Sequence, residues 1–244
     1  MTSYVDAHVH LYEFKTENVE RFLEKGILLV AVAEDYNSSI RNLELRDTYP
    51  GKIKACIGLH PWNIKEEYTA RNQLELLDGL SKEADCIGEV GLDLKFVPST
   101  FKLQHKIFNE LLGMALKYNL PLNLHAAGAW HEVFLSISSY GIRKALFHWY
   151  TGPLDLLKEI IGKGYLVSIN AAISIQEKSR RVLEKTPLNA ILTESDGPYK
   201  YRGLNLAPDL IPNLVSIISQ VKCTTEEKIK DAVYTNLLNL LSRV

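Results

Sequence analysis

The chain has 244 residues, of which 46% are hydrophobic and 23% charged, and this balance suits one folded α/β domain and excludes a largely disordered protein. Its formal net charge of −1 excludes capture of nucleic acid by a strongly basic surface, although bound metal ions could supply positive charge locally. The three cysteines make a poor disulfide framework, and Cys56 and Cys86 lie in apolar runs, so we expect buried thiols.

The apolar runs of the chain are short. The longest, residues 27–33, is far too short to span a bilayer, and the N-terminus lacks the apolar core of a signal peptide. We therefore expect a soluble cytoplasmic protein with no membrane partner; the sequence leaves the oligomeric state open.

Apolar, strand-forming runs alternate with segments of helical periodicity along the whole chain. The predicted strands are residues 4–10, 27–33, 53–59, 86–90, 120–125, 145–148, 165–169 and 190–193. A helix ending at Gly26 follows the first strand, and further helices are predicted at 66–82, 99–119, 130–139, 154–163, 175–185, 208–220 and 225–241, the last with a capping box formed by Thr224 and Glu227. Eight strands in this alternation predict an α/β fold, a single-domain (β/α)8 TIM-type barrel over residues 1–244. A doubly wound open sheet is the alternative, but the glycine-rich turn that it usually needs after the first strand is missing.

Two histidines stand at the end of the first predicted strand. His8 and His10 are two residues apart, so both imidazoles can face the same side of an extended chain and reach one ion. Such a pair is weak evidence alone, because incidental histidines are common.

Four more polar residues stand where apolar strands end. Glu89 lies in an apolar strand flanked by glycines, His125 and His148 end the fifth and sixth strands, and Asp196 follows the eighth. In an α/β barrel the carboxyl ends of the strands form the active-site face. Six ligand-type residues at five such ends predict one shared site.

The residue types indicate the metal. Four imidazoles and two carboxylates suit zinc, manganese or iron better than magnesium or calcium, which prefer oxygen ligands. Six ligands are too many for one tetrahedral ion with an open position, and they fit two ions bridged by one carboxylate. We therefore expect two divalent ions, with magnesium a less favoured choice.

Several segments resemble the TatD-like family of metal-dependent hydrolases and deoxyribonucleases, which is related to the amidohydrolase barrels. The matching segments are residues 6–11, 57–61, 87–93, 120–125, 148–152 and 193–199, with Asn236 fitting the C-terminal helix. The resemblance implies a barrel and metal-dependent hydrolysis of phosphodiester bonds, with DNA a frequent substrate. It also implies that His8, His10 and Asp196 hold one metal and His125 and His148 the other. Glu89 then bridges the two metals, and Asp196 deprotonates the attacking water.

One departure from that family concerns phosphate binding. Its members usually carry an arginine two residues after the histidine matching His125, and this chain has Ala127 there. Further candidate substrate contacts are His60, Asp93, Lys200 and Arg202; each is also explained by loop packing, capping or solvated charge. Tryptophans and tyrosines on the predicted active-face loops could stack on bases or simply pack at the rim.

Two other functions remain open. Related barrels hydrolyse amides and esters, often with a carboxylated lysine as the bridge, and no lysine occupies the position of Glu89. A non-catalytic metal-binding barrel is the second alternative, and the presence of all six ligand-type residues weighs against it.

Overall fold

The computed structural model describes residues 3–242, and its centre is a sheet of eight parallel strands in the order of the chain. The strands are β1 (Tyr4–Val9), β2 (Ile27–Ala31), β3 (Ile53–Ile57), β4 (Cys86–Gly91), β5 (Leu122–His125), β6 (Ala145–Phe147), β7 (Leu166–Asn170) and β8 (Ile191–Glu194). All eight predicted strands are therefore confirmed.

The helices lie between and after the strands. They are α1 (Thr16–Glu24), α2 (Tyr36–Thr48), α3 (Glu67–Leu80), α4 (Phe101–Tyr118), α5 (Trp130–Ser139), α6 (Leu154–Gly162), α7 (Glu177–Lys185), α8 (Ile211–Val221) and α9 (Glu226–Leu241). A two-stranded hairpin, β9 (Lys200–Tyr201) and β10 (Leu204–Asn205), stands between β8 and α8.

The sheet curves into a nearly closed (β/α)8 barrel, as predicted. Contacts between β1 and the end of β8 complete the circle: the Ser195 amide donates to the carboxylate of Asp6 (2.9 Å), and the Asp196 amide donates to the carbonyl of His8 (3.0 Å). The strands are buried almost throughout, which explains their continuous apolar sequences. Asp196 and His8 are thus brought together by the barrel closure itself.

Helix α2 is absent from the sequence prediction. Its buried face includes Ser38, Ser39 and Asn42, so the segment lacks the apolar periodicity that identifies an amphipathic helix. Its start is set by polar chemistry instead, because the side chains of Asp35 and Ser38 form a capping box. The prediction for the last helix was also displaced by one residue: Thr225 caps α9, accepting from the amide of Lys228.

The prediction that Cys56 and Cys86 are free thiols is wrong, because they form a disulfide. They are register partners on the neighbouring parallel strands β3 and β4, with their Cα atoms 4.4 Å apart. Cys223 is free and exposed. Strand pairing across 30 residues of sequence brings the two sulfurs together, and the count of cysteines could not reveal it.

Within residues 3–242, none of the helices has both the length and the apolar character that crossing a membrane requires.

Candidate metal centre and active site

The carboxyl ends of the barrel strands surround a cavity of about 560 Å³. His10, Glu89, His125, His148 and Asp196 line it, whereas His8 is fully buried next to it. The structure thus brings all six predicted metal ligands together at one end of the barrel.

Two irregularities in the sheet lie at predicted ligand residues. The pairing of β1 with β2 shifts register between Asp6 and Val9, next to His8, and that of β4 with β5 shifts between Ile87 and Val90, next to Glu89. Such bulges turn side chains away from simple alternation and are common beside active sites. Here they accompany the two predicted ligands that are buried deepest, His8 and Glu89.

The first cluster lies where β1 meets the end of β8, which is where the barrel closes. The Nε2 atoms of His8 and His10 lie 3.3 and 3.4 Å from Glu89 Oε2. The same nitrogens lie 3.5 and 3.4 Å from Asp196 Oδ1. Two imidazoles and two carboxylate oxygens therefore surround one point.

The second cluster surrounds the other oxygen of Glu89. Glu89 Oε1 lies 2.6 Å from His125 Nδ1 and 2.9 Å from His148 Nε2, and these two nitrogens are 3.4 Å apart. His60 Nε2 also belongs to this cluster, 3.4 Å from Glu89 Oε1. One carboxylate thus faces two groups of nitrogens, with one oxygen toward each.

The separations in the first cluster fit a bound ion. Ligands about 2.0–2.2 Å from an ion stand roughly 3.0–3.5 Å from one another in octahedral or tetrahedral geometry. The four contacts of the first cluster, 3.3–3.5 Å, fall in this range. His8 Nε2 is moreover a buried atom without a hydrogen-bond partner among the described residues, although it faces two carboxylates. A cation at this point satisfies all of these groups.

The far sides of the imidazoles fix which nitrogen is free to bind a metal. His8 Nδ1 is 2.8 Å from Asn123 Oδ1, and the amide of Asn123 donates to the carbonyl of Ala7, so its oxygen must face His8. His125 Nε2 similarly contacts Asp93 Oδ2 at 3.0 Å. Each contact assigns the proton to the outer nitrogen and leaves the inner one as a metal donor.

His60 has the opposite arrangement. Its Nδ1 accepts a hydrogen bond from the Trp62 amide, and burial lowers the pKa of His60 to about 4. A neutral imidazole that accepts at Nδ1 carries its proton on Nε2. His60 therefore presents a donor to Glu89 and His125 in the cavity. Neutral His8 and His125 would instead present lone pairs there.

Asp93 and Glu194 support the ligand shell from behind. The Asp93 carboxylate contacts His125 and accepts from Trp62 Nε1 at 2.6 Å, and it is fully buried. Glu194, also fully buried, lies 3.7 Å from His148 Nδ1 and accepts from Ser168. Asp93 thus packs behind a ligand and not on the cavity surface. Sequence reasoning missed Glu194 and Asn123, since single polar residues within strands carry no distinctive spacing.

The electrostatics of the centre favour opposite charges on adjacent groups. Burial would raise the pKa of Glu89, but neighbouring histidines hold it well below its usual range: His60 with its Nε2 proton, and His148 and His8 with the positive charge that their raised pKa favours. Burial also opposes ionisation of Asp196, but the adjacent imidazoles of His10 and His8 hold the pKa of Asp196 below its usual range. Both carboxylates are therefore ionised at neutral pH and ready to attract cations.

Metal affinity is expected to fall as pH falls. Burial would lower the pKa of His148, but Glu89 and Glu194 raise it to about 9. Burial would also lower the pKa of His8, but Glu89 and Asp196 outweigh this effect and raise it. Each protonated imidazole must lose its proton before it can bind an ion. Affinity should therefore rise with pH until about 9 and drop steeply below neutrality. Competition with a chromophoric chelator from pH 6 to 9 measures this, and a pH-independent affinity for zinc would contradict it.

Gly91 is expected to be essential to the centre. It has φ +147°, and a Cβ at this position would lie 1.9 Å from the carbonyl oxygen of His125. Gly91→Ala should therefore destabilise the fold by at least about 2 kcal/mol and displace a ligand. Gly113→Ala is the control, because Gly113 lies within α4 with nothing within 4 Å of its added Cβ, and alanine favours helix. Urea unfolding of both metal-free variants measures the difference; equal midpoints would refute the close approach.

The cations at the cavity differ from those predicted. Tyr199 and Tyr201 line it, whereas Lys200 and Arg202 are exposed and do not. Lys200 precedes Tyr201 in the extended strand β9, so their side chains point to opposite sides, and Arg202 lies in the turn after β9. The lining lysines are instead Lys95, in the loop after β4, and Lys178, on α7. Neither lysine was among the substrate contacts predicted from the sequence, because position in the chain does not reveal which way a side chain points.

A family model described as TatD related DNase matches residues 5–242. An uncharacterised metal-dependent hydrolase of Methanocaldococcus jannaschii is 29% identical over 248 residues, covering 98% of this chain and 97% of that protein. The human deoxyribonuclease TATDN3 is 26% identical over 261 residues, covering 98% of this chain and 95% of its own. The sequence similarity therefore extends over nearly the full length of both relatives.

Solved structures agree in fold. YJJV, a TatD homologue of Escherichia coli, superposes with a TM-score of 0.87 at 22% identity and 97% coverage of each chain. A TatD family hydrolase of Entamoeba histolytica gives a TM-score of 0.82 at 18% identity, with 98% of each chain covered. At these identities the likeness concerns the barrel itself.

Proposed function

We propose, from the premise that this chain belongs to the TatD family of metal-dependent hydrolases, that it hydrolyses phosphodiester bonds with water activated by two divalent ions. The observation that carries the proposal is the position of Glu89. Its two carboxylate oxygens each face a separate group of imidazoles, which is the arrangement that a bridging ligand needs. The name of the human relative, a deoxyribonuclease, favours DNA as the substrate.

The six residues take these roles in the proposal. His8, His10 and Asp196 would hold one ion, His125 and His148 would hold the second, and Glu89 would be shared by the two. Zinc, manganese or iron suit this set of nitrogen and oxygen donors best. Bound there, the ions would polarise the phosphodiester and lower the pKa of water.

The protein itself supplies a base and a donor. Asp196 lines the cavity and is ionised, so its carboxylate has a lone pair that can accept the proton of the attacking water. His60 presents its Nε2 proton on the same side as the second cluster and can donate to an anionic oxygen of the substrate. Asp93 acts through His125, holding its imidazole in the metal-binding tautomer, and so serves as a positioning residue.

The aromatic lining fits a nucleotide. Trp62, Trp130, Trp149, Tyr199 and Tyr201 all face the cavity. Bases stack on such side chains with little regard to sequence. Tyr150, by contrast, is fully buried, and its hydroxyl donates to the carbonyl of Pro153. Phe96 lines the cavity as well, so six aromatic side chains are available for contact with a single-stranded substrate.

A substrate panel tests the proposed function. Protein loaded with manganese or zinc should hydrolyse bis-p-nitrophenyl phosphate and single-stranded DNA, and added chelator should abolish the activity while circular dichroism remains unchanged. The same panel includes an amide, a lactone and a carboxylic ester. Turnover of these three without phosphodiester turnover would refute the proposal and favour an amide or ester hydrolase. No turnover of any substrate by fully loaded protein would favour a non-catalytic metal-binding barrel.

A further inference from the structure

The loop after β4 carries Lys95 to the cavity and is anchored to a predicted metal ligand. Asp93 Oδ1 accepts hydrogen bonds from the amides of Lys95 (2.8 Å) and Phe96 (2.7 Å), while Oδ2 contacts His125 Nε2 at 3.0 Å. The buried carboxylate of Asp93 therefore holds both the imidazole of His125 and the backbone from which the Lys95 side chain extends. The position of Lys95 relative to the second cluster is set by three short contacts.

The neighbouring segment after β5 packs directly on this loop. The Leu94 amide donates to the carbonyl of Ala127 at 2.9 Å. A Cβ added to Gly128 would lie 3.3 Å from the backbone nitrogen of Lys95. Both Ala127 and Gly128 line the cavity, and neither brings a charge or a long side chain. They leave room beside Lys95 for a ligand.

The charge of Lys95 is available. Its Nζ lies 4.7 Å from the centre of the Phe96 ring, and no carboxylate among residues 3–242 is within 4.0 Å of it. The cavity carboxylates outside the ligand clusters, Glu13 and Glu34, come instead from the segments after β1 and β2. An anion is thus repelled on the side of β1 and β2 and attracted on the side of β4.

We infer that Lys95 forms an anion subsite next to the second metal cluster and binds a phosphate oxygen of the substrate there. The inference rests on the proposed function for the identity of the substrate, since a phosphate ester is the anion that such an enzyme receives. Lys95 takes the binding role that the sequence suggested for Lys200 and Arg202. An ammonium on a flexible stem can follow the phosphate during the reaction.

Calorimetric titration with inorganic phosphate tests the subsite without reference to catalysis. The proteins are the manganese-loaded wild type, Lys95→Gln, Lys95→Arg and, as the matched control, Lys163→Gln, which removes the same charge from an exposed residue after α6 at the opposite end of the barrel. Lys95→Gln should weaken phosphate binding about tenfold, as for loss of one charge-assisted hydrogen bond. Lys95→Arg should stay within about threefold of wild type, and Lys163→Gln should be unchanged.

Kinetics with bis-p-nitrophenyl phosphate separate this inference from the function on which it rests. Lys95→Gln should raise KM more than it lowers kcat, with unchanged metal content by elemental analysis. Equal phosphate affinity in Lys95→Gln and wild type would overturn the subsite, even where the enzyme hydrolyses phosphodiesters normally. So would the absence of phosphate binding by wild type. Phosphate binding that depends on Lys95 in a protein without phosphodiesterase activity would instead retain the subsite and refute the proposed function.

Discussion

Asp196→Asn is expected to abolish turnover while leaving the fold intact. Asparagine keeps the shape of the side chain but loses the negative charge and the basic oxygen, and base catalysis alone contributes about 10²–10⁴-fold. The backbone tolerates the change, because Asp196 has φ +58° and asparagine also adopts this conformation readily. The amide of residue 196 can still donate to the carbonyl of His8.

Three measurements on Asp196→Asn give this prediction its content. Circular dichroism should match wild type, elemental analysis should show at least the ion of the second cluster, and kcat should fall at least a hundredfold or so. Asp155→Asn, a change at an exposed residue of α6, serves as the matched control and should be silent. Near-normal kcat with full metal content would mean that Asp196 only shapes the loop after β8.

Glu89→Gln is expected to cost both metal binding and activity. The carboxylate of Glu89 is 2% exposed and contacts both clusters, and an amide offers one neutral oxygen in place of two anionic ones. The bridge is thereby lost, so bound metal should fall below two ions per chain and turnover should fall to background.

The Glu89 prediction needs a check on folding, since a buried group is changed. Removing one partner of a buried charged cluster is strongly destabilising as a rule. Glu89→Asp, which keeps the charge on a shorter stem, should therefore fold and recover part of the metal binding, and Glu24→Gln, at the exposed end of α1, should behave as wild type. Retention of two ions and of wild-type kcat in Glu89→Gln would exclude a bridging role.

The barrel could be predicted from the sequence because its physical signal is local. Each strand is buried on both faces, so it appears as an uninterrupted apolar run such as that of Ile27–Ala31. Helix α2 was not predicted because its buried face is polar. The pairing of Cys56 with Cys86 was not predicted because the register between two strands depends on residues far apart in the sequence. Composition and periodicity indicate where a strand or helix lies in the sequence, but not which other element it pairs with.

The site divides in the same way. His125 and Asp196 could be predicted as site residues because burying a polar group at the end of an apolar strand is costly unless the group has a partner. Asn123 was not, because an amide in a strand has many uses and only the fold shows it next to His8. Lys95 and Lys200 both follow strands, and only the backbone of the folded loops shows that Lys95 reaches the cavity. The direction in which a loop side chain points, unlike its position in the chain, cannot be deduced from the spacing of residues.

The most direct test of the two-metal centre is a titration of the metal-free protein with manganese, with bound metal and phosphodiester turnover measured at each point. Turnover should remain near background until the second ion binds and reach its maximum at two ions per chain, since both clusters share Glu89 and both are required for the reaction. Maximal turnover at one ion per chain, or turnover without bound metal, would contradict the account.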